Sequence, residues 1–324
     1  MQYRKMGNSD LVVSAIGFGC WEMGGNYGSI DDQEVAHAIR RALDLGVTLY
    51  DTARGYGAGR SEELLGRALG ADRKNVIVVT KCGLPTRPGQ KPRRDARYAS
   101  IVEDCEQSLK SLGTDYIDLF LVHWPDVETP IEESMRALND VRAAGKVRYV
   151  GVSNFSAAQI RECRQYAPII ANQVGYNLFD RRWEYEMFPA AQELEISIMA
   201  YGPLAHGLLT GAFTSETKFD ETDWRSRGMI FGQALFTPEN FPKNLQVVEQ
   251  LKAFAADKGT TLPRLALAWV LWNSLVAVGL SGTRRPSEIE ENVQALAIHL
   301  TADDKRQLDE IMQGAAGQTS QIPT

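Results

Sequence analysis

Three consecutive apolar runs in this chain end in an ionisable side chain: Val47-Thr48-Leu49-Tyr50-Asp51, Val76-Ile77-Val78-Val79-Thr80-Lys81 and Ile117-Asp118-Leu119-Phe120-Leu121-Val122-His123. Tyr56 follows Asp51 in the loop Asp51-Thr52-Ala53-Arg54-Gly55-Tyr56-Gly57, whose glycines let it fold back over the same end. An acid, an ammonium, an imidazole and a phenol at one mouth make a proton donor for an oxygen that gains negative charge. A free phenol, with a pKa near ~10, holds its proton at neutral pH, and an ammonium within ~4 Å stabilises the phenolate by a few kcal/mol at an effective dielectric of ~20. In this reading Lys81 raises the acidity of Tyr56, Asp51 keeps Lys81 protonated and oriented, and His123 hydrogen-bonds the substrate oxygen. Hydride addition to a carbonyl needs such a set, because an alkoxide must be protonated as it forms. Taken singly, a strand-end Asp or Lys is more often structural or solvated; their joint occurrence carries the reading.

The elements that must position these groups are legible as an alternation. Short apolar, β-branched runs occur at 15–19, 47–50, 76–80, 117–122, 147–152, 169–174, 196–201 and 276–280, without the strict polar alternation of a half-exposed strand. Amphipathic stretches lie between and after them, at 31–45, 61–69, 99–112, 131–144, 157–166, 184–194, 262–272 and 286–297. Eight strands, each with its helix, predict an α/β fold, a (β/α)8 TIM barrel, with residues 1–324 as a single domain. Such barrels carry their reacting groups at the C-terminal strand ends, where Asp51, Lys81 and His123 fall. Outside the repeat, residues 2–13 predict an N-terminal β-hairpin with its turn at Gly7-Asn8-Ser9-Asp10. Residues 202–240 predict a lid, 241–258 and 301–312 extra C-terminal helices, and 314–324 a loose tail.

Composition narrows the partners. With 35 basic against 41 acidic residues the net charge is −6, which gives no broad positive field for nucleic acid. No apolar run approaches the ~20 residues that span a bilayer, and no apolar core follows the basic residues at the start, so no membrane partner and no secretion signal are expected. Cys20, Cys82, Cys105 and Cys163 form no C-x-x-C pair and read as reduced thiols of a cytoplasmic protein. His37, His123, His206 and His299 are too widely spaced for the usual zinc motifs, so no metal is expected. A glycosidase would need paired carboxylates at strand ends, and only Asp51 qualifies. Trp21, Trp124 and Tyr27 follow strands and are candidates for the wall of a substrate cleft, with Phe231 and Trp224 weaker ones. Arg54 reads either as a contact to an anionic or polyhydroxylated substrate or as a solvated side chain.

The chain resembles the aldo-keto reductases through Gly17-Phe18-Gly19-Cys20-Trp21, the run 50–57, Thr80-Lys81, Leu121-Val122-His123-Trp124-Pro125-Asp126, Gly151-Val152-Ser153-Asn154-Phe155 and Asn172-Gln173-Val174-Gly175-Tyr176-Asn177. These blocks stand in the family's order across residues 3–312. The resemblance implies a TIM-barrel oxidoreductase that reduces aldehydes or ketones with NADP(H), Asp51, Tyr56, Lys81 and His123 filling the catalytic tetrad. It implies that Ser153, Asn154 and Gln173 hold the nicotinamide carboxamide and that Tyr201 stacks on the ring. Gly19 and Trp21 join the cofactor contacts, and Trp21, Tyr56, His123 and Trp124 the substrate contacts. The segment 201–211, with Gly202, Pro203, Leu204, Gly207 and Leu209, resembles the loop that covers the pyrophosphate. Gly282-Thr283-Arg284-Arg285, with Glu291 and Asn292, resembles the adenosine-binding block.

Two guanidinium groups beside a helix start suit a phosphate dianion, which favours NADP(H) over NAD(H). Glu288 stands where some members carry arginine, and NAD(H) is the alternative. The long loop and this block resemble the bacterial branch with inositol-operon and general-stress reductases, and the potassium-channel β subunits, more than the mammalian aldose reductases. A nucleotide-sensing partner subunit and an NAD-linked alcohol or sugar dehydrogenase are therefore the competing functions. The implied partner is a small-molecule carbonyl; oligomeric state stays open.

Overall fold

A computed structural model describes residues 1–25, 30–85, 93–221 and 223–323. Strands β1 (Tyr3–Lys5) and β2 (Val12–Ser14) pair antiparallel as the N-terminal hairpin. Eight further strands, β3 (Ile16–Gly19), β4 (Leu49–Asp51), β5 (Ile77–Cys82), β6 (Ile117–Val122), β7 (Val147–Ser153), β8 (Ile169–Gly175), β9 (Ser197–Tyr201) and β10 (Val276–Gly282), close into a parallel barrel in chain order. Around it lie α1 (Asp32–Asp44), α2 (Arg60–Leu69), α3 (Tyr98–Leu112), α4 (Ile131–Ala143), α5 (Ala157–Tyr166), α6 (Met187–Glu193), α7 (Phe241–Asp257), α8 (Leu262–Trp272), α9 (Pro286–Gln294) and α10 (Ala302–Met312). The architecture is the expected (β/α)8 barrel with an N-terminal hairpin and extra C-terminal helices.

The missing polar alternation has its reason in burial on both faces. Every residue of β6 is buried, and its one acid, Asp118, is held by ion pairs to Arg73 at 2.8 Å and Arg148 at 3.0 Å. Leu49, Val79, Leu119, Leu121, Met199, Val278 and Leu280 pack together with Met6, Leu11 and Val13 of the hairpin, so the hairpin closes one end of the barrel. The opposite rim is level: Gly19 pairs with Asp51, Lys81 with Leu121, Ser153 with Gln173 and Gly175 with Tyr201. That register brings the polar strand ends to one mouth.

Three expectations change in detail. The second barrel strand begins at Leu49 rather than 47, because Val47 N–H still donates to Ala42 of α1, and it runs on to Asp51. The helix expected at 184–194 spans only Met187–Glu193, since Glu184 is occupied as acceptor for Tyr176 and Arg181 in the preceding loop. The tail is not loose. Gly317 O accepts from Ala234 N–H, Ala316 O from Asn244 and Gln321 O from Arg182, which tie it to the segment before α7, to α7 itself and to the loop between β8 and α6.

Close packing of α2 on α3 rests on Gly66: a Cβ there would fall 2.3 Å from the carbonyl oxygen of Leu112. Gly66→Ala is expected to lower the urea midpoint, because overpacking costs about 1–3 kcal/mol, against roughly 0.5–1 kcal/mol gained from helix propensity. A raised midpoint would contradict this packing.

Candidate active site

Lys81, on β5, is fully buried and spends its three N–H donors inside the barrel mouth. It donates to Asp51 Oδ1 at 2.7 Å, to Thr52 O at 2.8 Å and to the Tyr56 hydroxyl at 3.2 Å. Tyr56 reaches this point because its loop turns back sharply. Gly57, Ala58 and Gly59 all have positive φ, and Arg54 donates to Ala58 O at 3.1 Å while lying 3.8 Å from the buried Glu62. Arg54 is thus neither a free surface charge nor part of the mouth; it fastens the Tyr56 loop. The His123 imidazole stands edge-on to the Tyr56 ring, with centroids 5.6 Å apart. The four groups that sequence reading set together do meet.

Their electrostatics differ from expectation in one respect. Burial, and then the charge of Asp51, pushes the Tyr56 phenol well above its ordinary value instead of lowering it. Lys81 is already neutralised by Asp51 at 2.7 Å, so the phenol faces a nearly neutral pair and loses solvation. The phenol therefore rests protonated, and the ammonium acts on it only once a phenolate forms. Burial raises the Asp51 carboxyl, and Lys81 pulls it back by its charge and then its hydrogen bond; burial lowers Lys81.

His123 is pushed well below its ordinary value by burial and then by the Lys81 charge, and its Nδ1 has no hydrogen-bond partner among the described residues. It should remain a neutral imidazole near pH 6.5. NMR of its ring carbons is expected to show no titration step there, and a midpoint at the free-imidazole value would contradict the burial argument.

The carboxamide candidates line the same mouth but bond to one another. Gln173 donates to Asp51 Oδ2 at 2.7 Å and thereby fixes the acid. Ser153 Oγ donates to Gln173 O at 2.8 Å, and Asn154, held at φ 63°, donates to Ser153 Oγ and His123 O. The Tyr201 hydroxyl donates to Asn154 Oδ1 at 3.0 Å.

From here a cavity of about 690 Å³ runs past Gly19, Trp21, Gly202, Pro203, Leu204 and Gly207 to Gly282, Thr283, Arg284, Glu291 and Asn292. Two expected cofactor residues lie elsewhere. The Leu209 side chain is wholly buried in the apolar core, because its 3₁₀ turn packs that face inward. Arg285 points away, with Nε 3.7 Å from Glu34 of α1, while Glu288 caps α9 by accepting from the N–H groups of Arg284 and Arg285.

Sequence reading underrated the long loop. Trp224 stacks on Trp21 with centroids 6.2 Å apart, and Phe231 stands 5.7 Å from Trp124 and 5.6 Å from Tyr201. Phe231 and His206, the latter pushed down to about 3 by burial, line the cavity together with Tyr56, Trp21 and Trp124, and Trp224 backs Trp21 and His206. The signal was present as aromatic residues in a non-periodic loop; their partners were not. Tyr27 lies outside the described residues. Glu22, in the 3₁₀ turn after β3, also lines the cavity and was missed.

The profile of the Aldo/keto reductase family matches residues 15–313. The Aldo-keto reductase YhdN of Bacillus subtilis is 38% identical over 97% of this chain and 94% of its own length. An NADH-specific methylglyoxal reductase of Escherichia coli is 36% identical over 92% of this chain and 94% of its own. Among solved structures, the glycerol dehydrogenase AKR11B4 from Gluconobacter oxydans superimposes with a TM-score of 0.89 at 35% identity, covering 99% of this chain and 98% of that one.

Proposed function

The chain belongs to the aldo/keto reductase family, and on that premise we propose that it reduces aldehydes or ketones to alcohols with a reduced nicotinamide dinucleotide, Tyr56 delivering the proton. The observation that carries the reading is the single Lys81 ammonium that joins Asp51 and the Tyr56 hydroxyl beside His123. The cavity fits a dinucleotide in size and chemistry. It has an amide and hydroxyl cluster at the Tyr56 end, glycines along its length and the Arg284 guanidinium at the other end.

Ser153, Asn154, Gln173 and Tyr201 are the residues that would hold the nicotinamide, with Arg284, Glu291 and Asn292 at the adenosine end. A reduced nicotinamide, when bound, supplies the hydride. Tyr56 gives its proton to the carbonyl oxygen, and His123, neutral, donates a second hydrogen bond to that oxygen. Lys81 steadies the phenolate so formed, and Asp51, clamped by Gln173, holds Lys81 in line. The aromatic wall of Trp21, Trp124 and Phe231 keeps water from the carbonyl and suits a small apolar aldehyde or ketone.

We assign NADP(H) as the cofactor on the strength of Arg284 beside the start of α9. NAD(H) is the second reading. It is favoured by Arg285 turning to Glu34 and by the Glu288 carboxylate occupying the N–H groups that a phosphate would use. The whole of 1–324 is proposed to act as one catalytic domain in the cytoplasm; among the described residues no helix is long and apolar enough to cross a membrane. Fluorescence titration with NADPH and NADH, followed by a carbonyl panel monitored by loss of reduced-nicotinamide absorbance, tests this. Binding of at least one nucleotide with turnover of aldehydes is expected; binding of neither contradicts it.

A further inference from the structure

Glu22 has a carboxyl group placed where an anionic ligand would leave it no hydrogen-bond donor. It sits in the 3₁₀ turn Trp21–Gly24, and its side chain lies across Gly282 at the end of β10. A Cβ at position 282 would fall 1.9 Å from Oε1 and 2.5 Å from Oε2, so the carboxyl occupies the space that a side chain at 282 would take. Glu22 lines the cavity, and among the described residues its Oε2 is shielded from solvent with no hydrogen-bond partner. A shielded carboxyl oxygen without a partner is costly to the fold and asks for a ligand that completes it.

The surroundings say which kind of ligand group comes here. Arg284 after β10 and Arg225 of the Trp224–Arg227 turn, the latter ion-paired with Asp223, act on Glu22 by their positive charge, while Glu288 of α9 adds a like charge. Cys20 on the same stretch and Tyr56 across the mouth also feel the Glu22 charge, and both rest protonated. A phosphate drawn to the Arg284 guanidinium offers only acceptor oxygens. Toward such a group a carboxylate is repulsive, whereas a carboxylic acid donates a short hydrogen bond.

Building on the dinucleotide reading above, we infer that Glu22 binds the pyrophosphate as a carboxylic acid, donating its proton to a phosphate oxygen, so that association takes up one proton. Glu22 is ready for this near neutrality, because burial raises its carboxyl to about 7 against the opposing pull of Arg284 and Arg225. The sign of the linkage follows. A ligand that binds the protonated form is held most tightly below that value, and its Kd rises about tenfold for each pH unit above it, until the value in the complex is passed.

The experiment measures Kd of whichever reduced dinucleotide binds, between about pH 6 and pH 9, for the wild type and Glu22→Gln; these bounds bracket the ordinary neutral range. Glutamine keeps a donor and cannot titrate, and comparing the two proteins removes the ligand's own ionisation. The wild-type Kd should rise with pH and that of Glu22→Gln should stay flat. Calorimetry in two buffers of different ionisation enthalpy should find proton uptake for the wild type alone. Equal slopes in the two proteins overturn the inference. So does tighter wild-type binding at high pH that the variant loses, which would mean that Glu22 accepts from a ribose hydroxyl as a carboxylate. If neither protein binds a dinucleotide at any pH, the dinucleotide reading itself fails, a result distinct from both.

Discussion

Tyr56→Phe is expected to lower kcat for aldehyde reduction by about 10²–10⁴-fold, the range that a positioned general acid contributes, with dinucleotide Kd unchanged. The ring is retained, so its edge-on packing with His123 at 5.6 Å persists. What disappears is the hydroxyl 3.2 Å from Lys81 Nζ and the only proton the mechanism delivers. Stopped-flow reduction with saturating nucleotide separates the chemical step from binding. Turnover equal to wild type would remove Tyr56 from the mechanism.

Lys81→Met is expected to damage both catalysis and stability. Each of the three N–H donors has an acceptor, those of Asp51 and Thr52 buried, and methionine satisfies none of them. Asp51 keeps Gln173 but loses its counter-ion, and removing one partner of a buried pair costs about 3–5 kcal/mol. The pH dependence has a definite sign. Burial already raises the Asp51 carboxyl, and without Lys81 it rises further, so the folded variant binds a proton more readily than the unfolded chain does. Stability lost at high pH is therefore partly regained as pH falls through the raised value. Denaturant unfolding at about pH 5.5 and about pH 8, either side of neutrality, should show a larger deficit at the higher pH. An equal deficit at both would mean that Asp51 is not the group left uncompensated.

The positions of Asp51, Lys81 and His123 were legible because a parallel barrel strand is an apolar run, and the first ionisable residue after it marks the mouth. Their partners were less so. Gln173 reads as a ligand amide, yet its N–H group is needed to hold Asp51, a contact between residues 122 positions apart. Arg284 and Arg285 look equivalent in the sequence. Only the start of α9 decides that one lines the cavity while the other reaches Glu34. Trp224 and Phe231 belong to a loop without periodicity, whose path is set by long-range packing on Trp21 and Trp124. The tail read as loose because nothing in its composition announces Asn244 and Arg182 as its anchors. Glu22 was invisible for a similar reason: its meaning depends on Gly282, at the far end of the chain.

The claim at the centre is that this mouth moves a hydride to a carbonyl carbon and a proton from Tyr56 to the carbonyl oxygen. The most direct measurement uses reduced nicotinamide dinucleotide deuterated at the transferable C4 position, an aldehyde in ordinary water, and NMR of the alcohol formed. One deuterium on the carbinol carbon is expected for each dinucleotide oxidised. An alcohol without that deuterium, or no oxidation of the dinucleotide at all, would contradict it.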